Sequence, residues 1–127
     1  RAAGWIAAGT VLAKRSETDA PHIILLPEIP LDEAAFLEKV KATVAQLGYC
    51  VVVVGEGVKN QQGEELGADK TRVDAFGHAV LSGAAEALKE LIQGKLDLKT
   101  RTVKLGYAQR SAAHYGSKID ADEAYAC

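Results

Sequence analysis

Apolar positions recur along this chain with two different periods, and the switching between them predicts helices and strands in turn. Residues 3–15 place Trp5, Ile6, Gly9, Leu12 and Ala13 on one face at helical spacing. Lys14 and Arg15 fall in the last turn, where cations suit the helix dipole. Gly4 and Gly9 weaken that helix, and the pattern assigns Trp5 and the stripe around it to the core. The run His22-Ile-Ile-Leu-Leu-Pro27, entered at Pro21, is short and continuous, the pattern of a strand buried on both faces. Asp32 then offers an N-cap for a helix over 33–47. Leu37, Val40, Val44 and Leu47 form its stripe, Glu33, Glu38, Lys39 and Lys41 face water, and Gly48 ends it. Cys50-Val-Val-Val-Val54 reads as a second buried strand, because β-branched residues fit a sheet better than a helix.

Residues 57–73 carry no usable period and are rich in polar residues and glycine, so they are expected to form a long loop, functional or mobile. Asp74 is placed to cap a helix over 75–93, with Leu81, Ala84, Leu88, Leu91 and Ile92 inward and Gly94 as the stop. Thr100 to Leu105 alternates as a third strand would, with Val103 and Leu105 on its buried side. Beyond 106–118, Asp120 can cap a final helix running to Cys127. This order predicts an α/β fold: a three-layer α/β/α, Rossmann-like lobe with a mainly parallel sheet and right-handed crossovers. No internal repeat interrupts it.

Composition narrows the function classes. With 127 residues the chain is expected to form a single lobe, and 48% apolar with 25% charged residues excludes a disordered scaffold. Fifteen basic against 17 acidic side chains, mixed along the chain, argue against a nucleic-acid or membrane partner. No apolar run approaches the roughly 18 residues that span a bilayer, and the first residues lack the order of a signal peptide. The expectation is a soluble, cytoplasmic protein. Cys50 and Cys127 do not make a disulfide framework. The absence of methionine, with Arg1 in first place, suggests a processed chain or a piece of a longer one.

In parallel sheets ligands bind beyond the carboxyl ends of the strands, where connecting loops converge. Glu28 follows the first predicted strand and Glu56 the second; Tyr107, Gln109 and Arg110 follow the third, with Arg101 inside it. Two carboxylates and two guanidiniums on one rim suit a polyhydroxylated anion: carboxylates accept hydroxyl protons, and arginine forks onto phosphate oxygens. The plainer reading is that strand ends meet water and collect polar residues anyway. Neither glutamate has a partner in the sequence that marks it as a catalytic base, so both are read as binders.

Other patterns fail. Gly55-Glu-Gly57 begins like a dinucleotide loop, but Asn60 stands where its third glycine belongs, and no Walker lysine pattern occurs. His22, His78 and His114 have no partners at zinc spacing and read as structural. Ser82 lacks the flanks of a nucleophile elbow and reads as a packing residue.

Five strings carry a sharper signal: Arg1-Ala-Ala-Gly-Trp-Ile-Ala, Pro21-His-Ile-Ile-Leu-Leu-Pro-Glu-Ile-Pro30, Gly48-Tyr-Cys-Val-Val-Val-Val-Gly-Glu-Gly57, Asp74-Ala-Phe-Gly-His78 and Leu105-Gly-Tyr-Ala-Gln-Arg110. Together, and in this order, they resemble the 6-phosphofructokinase family, most of all its pyrophosphate-dependent bacterial branch. The resemblance covers only the sugar-phosphate-binding, C-terminal portion of such an enzyme. It implies that Arg1 ends a Met-Gly-Arg substrate motif, with Ala2 where similar members commonly carry His. It also implies that Glu28 binds sugar hydroxyls, that Tyr107 and Arg110 contact the 6-phosphate within the motif containing Gln109, and that Arg101 reaches the 6-phosphate in a neighbouring subunit.

The family's Gly-Gly-Asp-Gly donor loop and Thr-Ile-Asp-x-Asp segment are absent from the sequence; Lys118-Ile-Asp120 lies outside the family's order. The resemblance therefore implies fructose 6-phosphate as ligand, the remaining lobe of the enzyme and further copies as partners, and Mg²⁺ on the donor phosphates, with pyrophosphate or ATP as donor. A lobe lacking base and donor loop is expected to be inactive alone. A stand-alone, non-catalytic sugar-phosphate-binding or regulatory module is the alternative, and an α/β assembly domain without ligand is the blandest reading.

Overall fold

The computed structural model describes residues 3–73, 79–81, 83–105, 118 and 122. The first helix, α1, is Trp5–Gly9, and a 3-10 turn over Thr10–Ala13 follows it. The predicted helix over 3–15 is thus shorter and tightens at its end; Lys14 and Arg15 lie beyond it, Lys14 in extended backbone. Its apolar stripe is not core. Trp5 is 85% exposed and Ile6 and Leu12 are similarly open, because no described element packs over that face; only Ala7 is buried.

Strand β1 spans Ile23–Leu25, and α2 spans Glu33–Leu47 with the predicted boundaries. The Ala35 amide donates to Asp32 Oδ1 at 3.1 Å, satisfying one of the free N–H groups that open the helix. Glu33 in the first turn adds a favourable charge. Gly48 closes the helix at φ 81°, a left-handed conformation that a Cβ would strain, with its N–H on the Val44 carbonyl at 2.8 Å. Phe36, outside the predicted stripe, is buried together with Val40.

Strand β2, Val52–Val54, pairs with β1 in parallel, with Ile23 opposite Val52, Ile24 opposite Val53 and Leu25 opposite Val54. The connection through α2 makes the β-α-β unit that the alternating periods predicted, and the α/β fold class holds. His22 ties the entry to this pair. Its Nδ1 accepts from the Val51 amide at 2.9 Å, and Nε2 lies 3.0 Å from the Thr18 carbonyl, which can only accept. The ring is therefore a neutral, fully engaged structural histidine, edge-on to Tyr49. His78 and His114 lie outside the described residues.

The expected long loop over 57–73 is a folded segment. Val58 is 1% exposed and joins the core, and the Leu66 amide donates to its carbonyl at 2.8 Å. The Asn60 side-chain oxygen accepts from the Gln62 and Glu64 amides at 3.0 and 2.9 Å, closing a tight turn that needs no apolar period. The chain then enters β3, Ala68–Val73, antiparallel to β4, Ala79–Leu81, with a register irregularity between Asp69 and Val73.

The next helix, α3, is Ala84–Leu96, not 75–93. It starts after Gly83, at φ 94°, and Leu81 belongs to β4; Asp74 and Ser82 lie outside the described residues. Gly94 does not stop it. The helix runs two residues further to a left-handed Asp97, whose amide caps the Gln93 carbonyl. Ala84, Leu88 and Ile92 are its buried face, and the last two meet Ile23, Leu31, Phe36, Val40 and Val58 in one apolar cluster. Thr100 to Leu105 is not a strand: it joins no ladder, and Val103 and Leu105 are 80% and 68% exposed. Alternation alone does not make a strand where no neighbouring edge receives its hydrogen bonds. Lys118 and Asp122 are both helical and ion-paired, whereas Asp120 as a cap lies outside the described residues.

Candidate functional site

Parallel pairing brings the exits of β1 and β2 to the same end of the sheet. The Gly55 amide donates to the Leu25 carbonyl at 3.0 Å, extending the ladder one step past β2. A Cβ on Gly55 would sit 3.0 Å from Pro27 Cδ, so the glycine lets the two exits approach. Glu28 and Glu56, both exposed, leave the strands there, as the strand order predicted.

Glu28 is not a loose surface carboxylate. The Gly4 amide donates to its Oε1 at 2.7 Å, which draws the start of α1 onto the exit of β1. A Cβ at residue 4 would lie 2.6 Å from Glu28 Oε2 and 2.9 Å from Leu26 Cδ2, so a side chain at this buried position would have to turn aside the ends of both neighbouring side chains. Sequence reasoning counted Gly4 as a flaw inside a helix. Its place is the residue before the helix, and no local pattern marks it, because its partner Glu28 is 24 residues away.

Arg101 does not share that rim through a strand. It lies exposed on the segment after α3, with no hydrogen bond or ion pair to Glu28 or Glu56. Its neighbours are anchored: Thr102 Oγ1 donates to Glu86 Oε1 on α3, and Lys89 Nζ is 3.1 Å from Glu86 Oε2. These two bonds, Thr102 first, hold the Glu86 carboxyl below its ordinary range. Burial pushes the Cys50 thiol up, with Thr43 and Lys39 offsetting part of the effect. Arg1, Tyr107, Gln109 and Arg110 lie outside the described residues.

Two open grooves, of about 280 and 250 Å³, flank the start of α2; neither is lined by Glu28, Glu56 or Arg101. Among the described residues no three His, Cys, Asp or Glu side chains converge as a cation's ligands. No helix among them is long and apolar enough to cross a membrane. What the described rim offers is carboxylate acceptors at two strand exits, the chemistry of binding hydroxyl groups; the exposed Arg101 guanidinium lies apart from it, on the segment after α3.

Comparison with known proteins bears on that chemistry. The phosphofructokinase family model matches residues 1–120. The chain is 45% identical over 126 residues to a pyrophosphate–fructose 6-phosphate 1-phosphotransferase of Halomonas elongata, and 44% identical to one of Xanthomonas campestris. Each alignment covers 99% of this chain and 30% of the relative, so the chain spans about a third of the length of these curated relatives. The crystal structure of a pyrophosphate-dependent phosphofructokinase from Marinobacter aquaeolei superposes with a TM-score of 0.73 at 38% identity, covering 98% of this chain and 27% of that one. Matched from its first residue nearly to its last, in sequence and in fold, the chain belongs to the phosphofructokinase family.

Proposed function

We propose that this chain is the fructose 6-phosphate-binding portion of a pyrophosphate-dependent 6-phosphofructokinase, a cytoplasmic glycolytic enzyme that phosphorylates the sugar's C1 hydroxyl. The bond between Gly4 and Glu28 carries the reading, because it joins the residues just after Arg1 to the Pro27-Glu28 exit, two motifs that would hold one ligand. Arg1 is three residues before Gly4, a tether of at most about 11 Å. In this reading Glu28 accepts sugar hydroxyls through the lone pairs that Gly4 leaves free, and Arg110 and Tyr107 take the 6-phosphate. The exposed Arg101 serves the 6-phosphate of a neighbouring subunit in a homo-oligomer.

Phosphoryl transfer is largely positioning and charge neutralisation, so an acceptor-binding portion can be chemically plain. The donor, its Mg²⁺ and the base belong to the remaining lobe, and the 127-residue chain alone is inactive. In full-length enzyme carrying this sequence, Glu28→Ala and Arg110→Ala are expected to raise KM for fructose 6-phosphate by about tenfold or more, as loss of a charged hydrogen-bonding group does. Unchanged KM in both variants, or turnover by the isolated chain, overturns the reading.

A further inference from the structure

The segment that carries Arg101 has no ladder to hold it, yet it is not unsupported. After the left-handed turn at Asp97 it runs back along α3. Gln93 Nε2 lies 3.5 Å from the Thr100 carbonyl, and Thr102 Oγ1 donates to the Glu86 carboxylate. Gln93 and Glu86 are seven residues apart on the helix, two turns, and therefore on one face. Thr100 and Thr102 are half-buried, and Arg101 between them is exposed. Two inward neighbours thus turn the arginine outward, and the stronger of the two ties ends on a charged acceptor.

We infer that Glu86 is a positioning residue: through Thr102 it fixes the backbone that aims the Arg101 guanidinium at a sugar phosphate. The inference rests on Arg101 as a phosphate ligand and adds what holds it there. Arginine carries several rotatable bonds, so a phosphate contact made from a loose segment loses affinity to ordering; anchoring the adjacent residue removes part of that cost before the ligand arrives. Lys89 pairs with the second Glu86 oxygen as an i,i+3 neighbour on the helix itself, not through the arginine segment. It is the internal control.

The test is steady-state kinetics of full-length enzyme carrying this sequence. Thr102→Val, which removes the hydroxyl at nearly constant shape, and Glu86→Ala are each expected to raise KM for fructose 6-phosphate about fivefold to tenfold, the scale of one lost charge-assisted hydrogen bond. Both leave kcat and the donor KM unchanged. Thr102→Ser restores the parental KM, Lys89→Ala leaves it unchanged, and Thr102→Val adds nothing once Arg101→Ala is present. If Arg101→Ala raises KM and Thr102→Val does not, the positioning role is wrong while Arg101 keeps its own. An effect of Thr102→Val that is additive with Arg101→Ala, or a matching fall in kcat, also overturns it as a merely structural bond. If Arg101→Ala leaves KM unchanged, the arginine is no phosphate ligand and the inference falls with it.

Discussion

The Gly4 amide and the Glu28 carboxylate are bonded at 2.7 Å across 24 residues of sequence. That bond couples the first helix to the exit of the first strand, and it brings the ends of the Glu28 and Leu26 side chains against residue 4.

Gly4→Ala is therefore expected to destabilise the chain by about 1 kcal/mol, because the new methyl turns aside the ends of the Glu28 and Leu26 side chains and weakens the bond to the carboxylate. Glu28→Gln keeps an acceptor for the amide and should cost less than about 1 kcal/mol. Urea unfolding of the two variants distinguishes a steric effect from a hydrogen-bond effect; equal stability of parent and Gly4→Ala would mean that the two side-chain ends turn aside without cost.

Val58 gives a second prediction. At 1% exposure inside an otherwise polar segment, it ties that segment to the core formed by Ile23, Phe36 and Leu88. Val58→Ala should cost about 2 kcal/mol, since a cavity replaces contacts on every side. A neighbouring substitution, Gln61→Ala, at an exposed site, should change stability by less than about 0.5 kcal/mol in the same measurement.

Trp5 is the chain's single tryptophan and is 85% exposed. Fluorescence from the isolated chain should accordingly peak at the long wavelength of a hydrated indole, and acrylamide should quench it almost as freely as a short peptide. Emission shifted to the blue would mean that something covers α1.

The Glu86 carboxyl is predicted to titrate below the ordinary glutamate value of 4.5, because Thr102 and then Lys89 stabilise its charged form. The sign follows from linkage: the tie is fully present above the ordinary value and is lost as pH falls through the lowered one. Side-chain carboxyl NMR reads the midpoint directly, and in Thr102→Val it should move back toward 4.5.

How much of this was legible depended on whether a residue's neighbours in sequence decide its structure. The α2 helix was legible to its ends because Asp32 and Gly48 act locally, one through an accepted N–H and the other through a positive φ. Both parallel strands were legible because Ile23–Leu25 and Val52–Val54 are short apolar runs, but their expected full burial is not met: Ile23 alone is buried and the other five residues are half-buried. The ribbon of β3 and β4 was not, since Ala68-Asp-Lys-Thr-Arg-Val73 shows no alternation and a register irregularity breaks its period. Leu81 fits the helical spacing of Leu88 and Ile92, and that coincidence moved the predicted start of α3 forward.

The site divided in the same way. Glu28 and Glu56 follow strands and can be placed by order alone, whereas the strand expected to hold Arg101 joins no ladder among the described residues. Gly4 and the Thr102–Glu86 tie involve residues 24 and 16 apart, which no local pattern reports. Trp5 was misassigned because periodicity says which side of a helix is apolar, not whether anything packs against it.

The parallel pairing of β1 and β2 also governs how the chain reaches this state. No tight turn can zip the two strands together: His22 and Val51 are bonded across 29 residues, and α2 must bridge the gap. Closing that distance costs chain entropy before any contact offsets it, so the strand pair should form late, after α2 has condensed between its two local caps. On that account Asp32→Ala slows folding while Val53→Ala chiefly speeds unfolding, and stopped-flow measurements of both limbs would separate the nucleus from the sheet that completes it.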